Sequence, residues 1–511
     1  MTKIDSASYA SFIGVNKAVI PGIRILNDFL VSYFGYAIGG SLKLSNLKDI
    51  FNEEKLKEID DIVCKELDEN KKRILFKSLF KWIKSYIYYS YGADSNNNKF
   101  LIPITKNLLY KDDDAKNRSR GILFRLLYGE DDNKSKQETD KQAIENFLFD
   151  INNNSNNSIY GNIISIIDSI IIKISEDSSE KQEHSFLPLD GTVHINSTFL
   201  NNYRKDFDCF LKSECFNKMD IYRKISNFSL FLNFYETLYL VNKAFEDSIP
   251  IILVKGFPGF TTDSGKFHHA ALGCFSDIRE KIFRMSENFF EIKLGQHIGS
   301  KVRFKLDNKC NLIIDQDGKE QQFKNSDISK MESLGTKESA DVEKHFIEYL
   351  QIDIKGRNVE RKEIARAIVE LHKKMSSSVR VVSSMLSGQG KEARMVYPTN
   401  NVRQKYFAMS GEITELLLML FLTQEHSVSE YATLSGFLRW LERQYGIYIA
   451  FSDKLIDYLN ENSIQVPSTQ EFNDNVQAFI NTLESINSIY KLSDTSYIVC
   501  MPGKLGGIPQ I

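Results

Sequence analysis

Few residues in this chain stand at spacings that could do chemistry. Apolar Ile251-Ile252-Leu253-Val254 runs into Gly256, Gly259, Gly265 and Lys266, an order that resembles a strand leading into a phosphate-cradling loop. Such a loop needs four residues between its glycines and a hydroxyl after its lysine, so that backbone N–H groups meet the phosphates and the hydroxyl meets magnesium. Here five residues separate Gly259 from Gly265, and Phe267 follows Lys266. The expectation is an ordered glycine-rich surface loop and no nucleotide site of that type. His268-His269 beside Cys274 and Asp277 invites a metal reading, but adjacent residues on a helix or strand point apart and do not converge on one ion. Asp315-Gln316-Asp317-Gly318 lacks the ligand spacing and terminal glutamate of a calcium loop and reads as a hairpin turn. No nucleophile elbow, zinc-protease helix or local Cys/His pairing occurs. At motif level the chain therefore predicts no catalytic residue, no cofactor and no metal. A site assembled from residues distant in sequence, as in a nuclease or hydrolase, stays open.

Charge is more informative than motif. Between Lys355 and Lys405 twelve basic residues face four acids, a local balance of +8. Seven of them, Arg361, Lys362, Arg366, Lys373, Lys374, Lys391 and Arg394, are the expected nucleic-acid-binding residues. Concentrated cations neutralise phosphates, although an acidic protein partner or plain solvent would satisfy them too. The chain from Glu412 to Ile511 carries twelve acids and five bases, a balance of −7. Its last predicted helix, opening at Ser468, has no Lys or Arg before Asn487. Phosphate neutralisation supplies nearly all non-specific DNA affinity, so that helix is poorly equipped to hold DNA. Its outward Asn473, Gln477 and Asn481 are expected to bind a protein partner.

The elements that must position these residues read as mainly helical, with a small antiparallel β-patch, in several domains. At 511 residues the chain exceeds one hydrophobic core, and its 42% hydrophobic content is enough for packed structure. The expected organisation is an N-terminal helical region over 1–110, a helical middle with polar loops over 111–285, and a β meander over 286–330. A basic helix-and-loop segment follows over 331–408, then a winged helix over 410–500 and a tail over 501–511. Phe228, Phe231, Phe234, Leu238 and Val241 repeat at helical spacing within a pair of helices expected over 199–245. In the C-terminal domain three apolar-periodic stretches end at two short strands over Ser488–Leu492 and Ser496–Cys500, the order of a winged helix. The connection 447–467 is long for that fold and is expected to hold an extra strand or short helix. Ser468 and Glu471 have capping-box spacing for the third helix.

Six cysteines without C-x-x-C pairing read as reduced thiols of a cytoplasmic protein. The N-terminus lacks the order of a signal peptide, and the most apolar run, Ile159 to Ile172, is broken by Asn162 and Asp168. That run is shorter than the roughly 20 residues of a membrane span, so no membrane association is expected.

The stretch from Phe472 to Val499, with Leu483 and Asn487 at the helix end and Ser493, Asp494, Tyr497 and Val499 around the wing, resembles one family. That family is the G component of bacterial DNA phosphorothioation-dependent restriction systems. Ser185-Phe-Leu-Pro through Phe234-Tyr-Glu-Thr-Leu-Tyr is similar to the middle of that family. The wing tip is shorter, and the 447–467 connection and the β-patch depart from it, so a subunit of another multi-gene anti-phage system would look alike. The resemblance implies a non-enzymatic or cryptic subunit of a defence complex that works beside partner subunits, an ATPase among them, to restrict DNA lacking a protective modification. The rival reading is a stand-alone winged-helix regulator, which would want lysines on the third helix.

Overall fold

The computed structural model of the protein describes residues 22–35, isolated positions from 68 to 81, 88–90, 99–109, 122–128, 134–149, 196–245, 248–258, 265–298, 302–306, 312–316, 319–322, 362, 386–399 except 389, 404–425, 431–493 and 496–502. It is mainly helical with small sheets. Among the described residues no helix is long and apolar enough to cross a membrane. The Ile159–Ile172 run lies outside the described residues.

The helices α1 (Gly22–Phe34), α2 (Ile122–Tyr128) and α3 (Lys134–Ile144) follow one another, with two paired strands, β1 (Tyr88–Ser90) and β2 (Lys99–Leu101), between the first two. Those strands fall in a region expected to be helical. Helix α4 (Ser197–Lys212) starts where Asn196 accepts the backbone N–H groups of Thr198 and Phe199, satisfying donors that a helix start leaves unpaired. After one turn, α5 (Glu214–Asn217), the chain enters α6 (Ile221–Lys243), capped by Asp220 and buried along most of its length. Phe199, Tyr203, Phe207 and Phe210 recur every three or four residues on α4, so one face meets α6. Phe210 lies 5.3 Å from Phe228 and 5.1 Å from Phe231. This is the helix pair expected over 199–245.

Strand β3 (Ile252–Lys255) then leads through Gly256 toward α7 (Lys266–Ile298). The meander β4 (Val302–Leu306), β5 (Leu312–Gln316) and β6 (Lys319–Gln322) is antiparallel throughout. It begins later than expected, because 286–298 continue α7. Next come β7 (Val396–Tyr397) and β8 (Tyr406–Ala408), helix α8 (Gly411–Glu425), β9 (Tyr431–Thr433), α9 (Leu434–Tyr445), β10 (Ile447–Tyr448) and α10 (Asp453–Glu461). Helix α11 (Thr469–Ser485) and the hairpin β11 (Ile489–Ser493) and β12 (Ser496–Cys500) close the order. The connection between α9 and α11 thus holds both a strand and a helix.

A four-stranded sheet in the order β10-β3-β8-β7 joins distant parts of the chain, and nothing in the residue pattern predicts it. Strand β3 runs parallel to β10 and β8, and β7 is antiparallel to β8. Strands two to four residues long carry no readable period, and their pairing is non-local. Gly446 ends α9 at φ +69°, and its carbonyl accepts Ile252 N–H at 2.8 Å as β10 begins. A Cβ there would stand 1.7 Å from the Pro250 carbonyl oxygen, so the close approach requires glycine. Near the C-terminus a second, antiparallel sheet has the order β11-β12-β9.

Helix α11 opens on the expected capping box. Ser468 Oγ accepts Glu471 N–H at 3.3 Å, and Glu471 Oε2 accepts Ser468 N–H at 2.8 Å. Asp206 on α4 ties the helical middle to the C-terminal helices. Its carboxylate is wholly buried and accepts Tyr235 O–H from α6, Gln424 N–H from α8, and Tyr445 O–H and Gln444 N–H from α9, the last at 3.3 Å. Burial raises its pKa even though the hydrogen bonds from Tyr235, Tyr445 and Gln424 lower it.

Ser468→Ala should cost about 1 kcal/mol of stability in urea titration, the usual loss of an N-cap. Asp206→Ala, which strands the buried hydroxyls of Tyr235 and Tyr445 and the half-buried amides of Gln424 and Gln444, should cost on the order of 3 kcal/mol. A raised folded pKa makes the carboxyl contribute most below its unfolded pKa and lose that contribution as pH rises through the folded one. Melting curves should therefore show wild-type stability falling relative to Asp206→Asn on going from acid toward neutral pH. A constant difference across that range would mean that Asp206 does not titrate abnormally.

Candidate nucleic-acid and partner interfaces

The glycine-rich stretch begins where β3 ends, and it is fastened on both sides. Gly256 N–H donates to Asn475 Oδ1 at 2.9 Å, and the Gly256 carbonyl accepts Thr482 O–H at 2.7 Å. A Cβ on Gly256 would lie 2.4 Å from the Asn475 carbonyl oxygen and 2.5 Å from Phe479 N, so α11 can sit against this backbone because the residue is glycine. Asn475 also donates to the carbonyls of Val254 and Ile449, at 3.0 and 2.8 Å. One buried amide thus joins α11 to β3 and to the residue after β10. Two residues along, the Pro258 carbonyl accepts Tyr406 O–H from β8 at 2.7 Å.

A buried cation packs on that tyrosine. Lys255, 1% exposed, places its ammonium 4.5 Å from the Tyr406 ring centre and 3.3 Å from His268 Nδ1 at the start of α7. Lys405, half-buried, donates to the Pro398 carbonyl. Burial, and then the neighbouring Lys391, push its pKa below the ordinary lysine value. Lys391 belongs to a helical turn whose end lies on β7, where a Cβ on Gly390 would meet Val396 Cγ2 at 2.2 Å. That turn closes with Met395 N–H on the Gly390 carbonyl at 2.7 Å and with Arg394 at φ +57°. Glu392 adjoins Lys391, and Glu412 acts on Tyr397 together with Arg394.

Of the expected nucleic-acid residues, Lys391 and Arg394 therefore sit together at the β7 edge of the four-stranded sheet. Lys362 is exposed and helical, while Arg361, Arg366, Lys373 and Lys374 lie outside the described residues. Sequence reasoning misses Lys255 and Tyr406, weighs His268 only as a metal ligand, and registers Lys405 only as part of a net charge. The glycines before Lys266 are the available signal, but their spacing speaks only to a nucleotide loop. His268 and His269 share the first turns of α7. Cys274 instead takes Leu253 N–H, and Asp277 takes Tyr458 O–H and Lys281. No group of three metal-ligating side chains gathers among the described residues. Cys209, Cys215, Cys274 and Cys500 are free thiols, and burial pushes the Cys274 thiol up to about 12.

Helix α11 has two faces of different character. Phe472, Asn475, Phe479, Thr482 and Leu483 are buried, whereas Asn473, Gln477 and Asn481 lie outward at intervals of four residues. Gln477 donates to Asn481 at 3.2 Å. Asp474 and Glu484 are also exposed, and the helix contains no Lys or Arg. Compared with protein-family models, curated proteins and solved structures, the chain shows no match.

A non-glycine residue in the left-handed region is strained, so Arg394 occupies a position that glycine would fill more cheaply. Arg394→Gly should stabilise the protein by about 0.5–1 kcal/mol in denaturant titration, and Arg394→Ala should not. Equal midpoints for the two variants would remove backbone strain as a reason to single out this arginine.

Proposed function

We propose that this chain is a non-catalytic subunit of a bacterial anti-phage DNA-restriction complex. In this reading it contacts DNA through the basic edge around Lys391 and Arg394 and docks a partner, an ATPase, on the outer face of α11. The observation that carries the reading is the separation of charge from the third helix. The inner face of α11 is locked into the sheet through Asn475 and Thr482, and its outer face offers amides and acids but no cation. Among the described residues, Lys391, Arg394 and Lys405 lie instead beside β7 and β8.

The C-terminal elements are those of a winged helix. Helices α8, α9 and α11 serve as its three helices, β11–β12 as the wing, and β9 as the strand that pairs with β12, with β10 and α10 inserted. In most such domains the third helix enters the major groove. Here each phosphate would approach a surface without neutralising charge, which supports a protein ligand over DNA for that helix. The resemblance of Phe472 to Val499 to the G component of phosphorothioation-dependent restriction systems supports the choice of pathway and the ATPase partner.

Anisotropy titrations at several salt concentrations test the division of labour. Changing Lys391 and Arg394 should weaken DNA binding and reduce the salt slope by about 0.9 for each phosphate no longer neutralised. Use of Arg394→Gly keeps a loss of affinity from being an unfolding effect. Changing Asn473, Gln477 and Asn481 should leave DNA binding intact and disrupt co-purification with proteins from neighbouring genes, identified by mass spectrometry. The opposite pattern, with DNA affinity abolished only in the α11 variants, would overturn the assignment.

A further inference from the structure

We draw no further inference here: the strongest candidate, the exposed apolar pair Tyr490 and Leu492 on the edge strand β11 of the wing, is an unpartnered sheet face, and nothing in the structure shows what covers it.

Discussion

A carboxylate with no access to water governs how the helical middle of this chain is joined to its C-terminal helices. Asp206 costs several kcal/mol to desolvate, and that penalty is offset only if donors surround it. They come from α6, α8 and α9, so those helices and α4 must be in register at once. An apolar residue at 206 would tolerate a helix sliding by a fraction of an ångström, since hydrophobic contact has no direction. Hydrogen bonds to one buried acid do not tolerate it. Through Gln444 and Tyr445 the constraint reaches the end of α9, and through Gly446 it reaches Ile252 and the central strand. The placement of β3, and with it the Gly256 loop, is set from that acid outward.

A second buried polar group acts in the same way where α11 meets the sheet. Asn475 directs its amide N–H groups to the carbonyls of Val254 and Ile449 and its carbonyl to Gly256 N–H. These backbone groups lie at the limits of a very short sheet, where a missing partner would be costly. Helix α11 is thereby committed on its inner face to structure, while Asn473, Gln477 and Asn481 on its outer face stay exposed. Glu471 is shared in the same way, because it completes the cap of α11 and also accepts Phe267 N–H at 3.3 Å at the start of α7.

Much of the helical architecture is legible in the residues because helices announce themselves locally. The stripe of α4, the all-round apolar α8, the capping box of Ser468 and Glu471 and the β11–β12 hairpin each need only a dozen neighbouring residues to be read. The four-stranded sheet is not legible, since β10 and β7 are two residues long and β3 finds its partners far along the chain. Asp206 is invisible for a related reason. A lone acid in an amphipathic helix reads as solvent-facing, and only the tertiary placement of two tyrosines and two glutamines shows otherwise. At the candidate interface Lys391 and Arg394 can be found by charge alone. Lys255 and Tyr406 cannot, because their juxtaposition is made by the parallel pairing of β3 with β8.

The central strand also has a history in time. Ile252 pairs with Ile447, so a ribosome releases β3 roughly 200 residues before its outer neighbour exists. At 5–20 residues per second that interval is about 10–40 s. For most of it, Ile252, Leu253 and Val254 are without β8 and β10, and the Asp206 carboxylate is without the α8 and α9 donors that later enclose it. An apolar strand with open edges invites pairing with other nascent chains. The newborn chain is therefore a natural client for chaperones that shield such segments, and its yield in a foreign host should follow chaperone supply more closely than the stability of the finished fold.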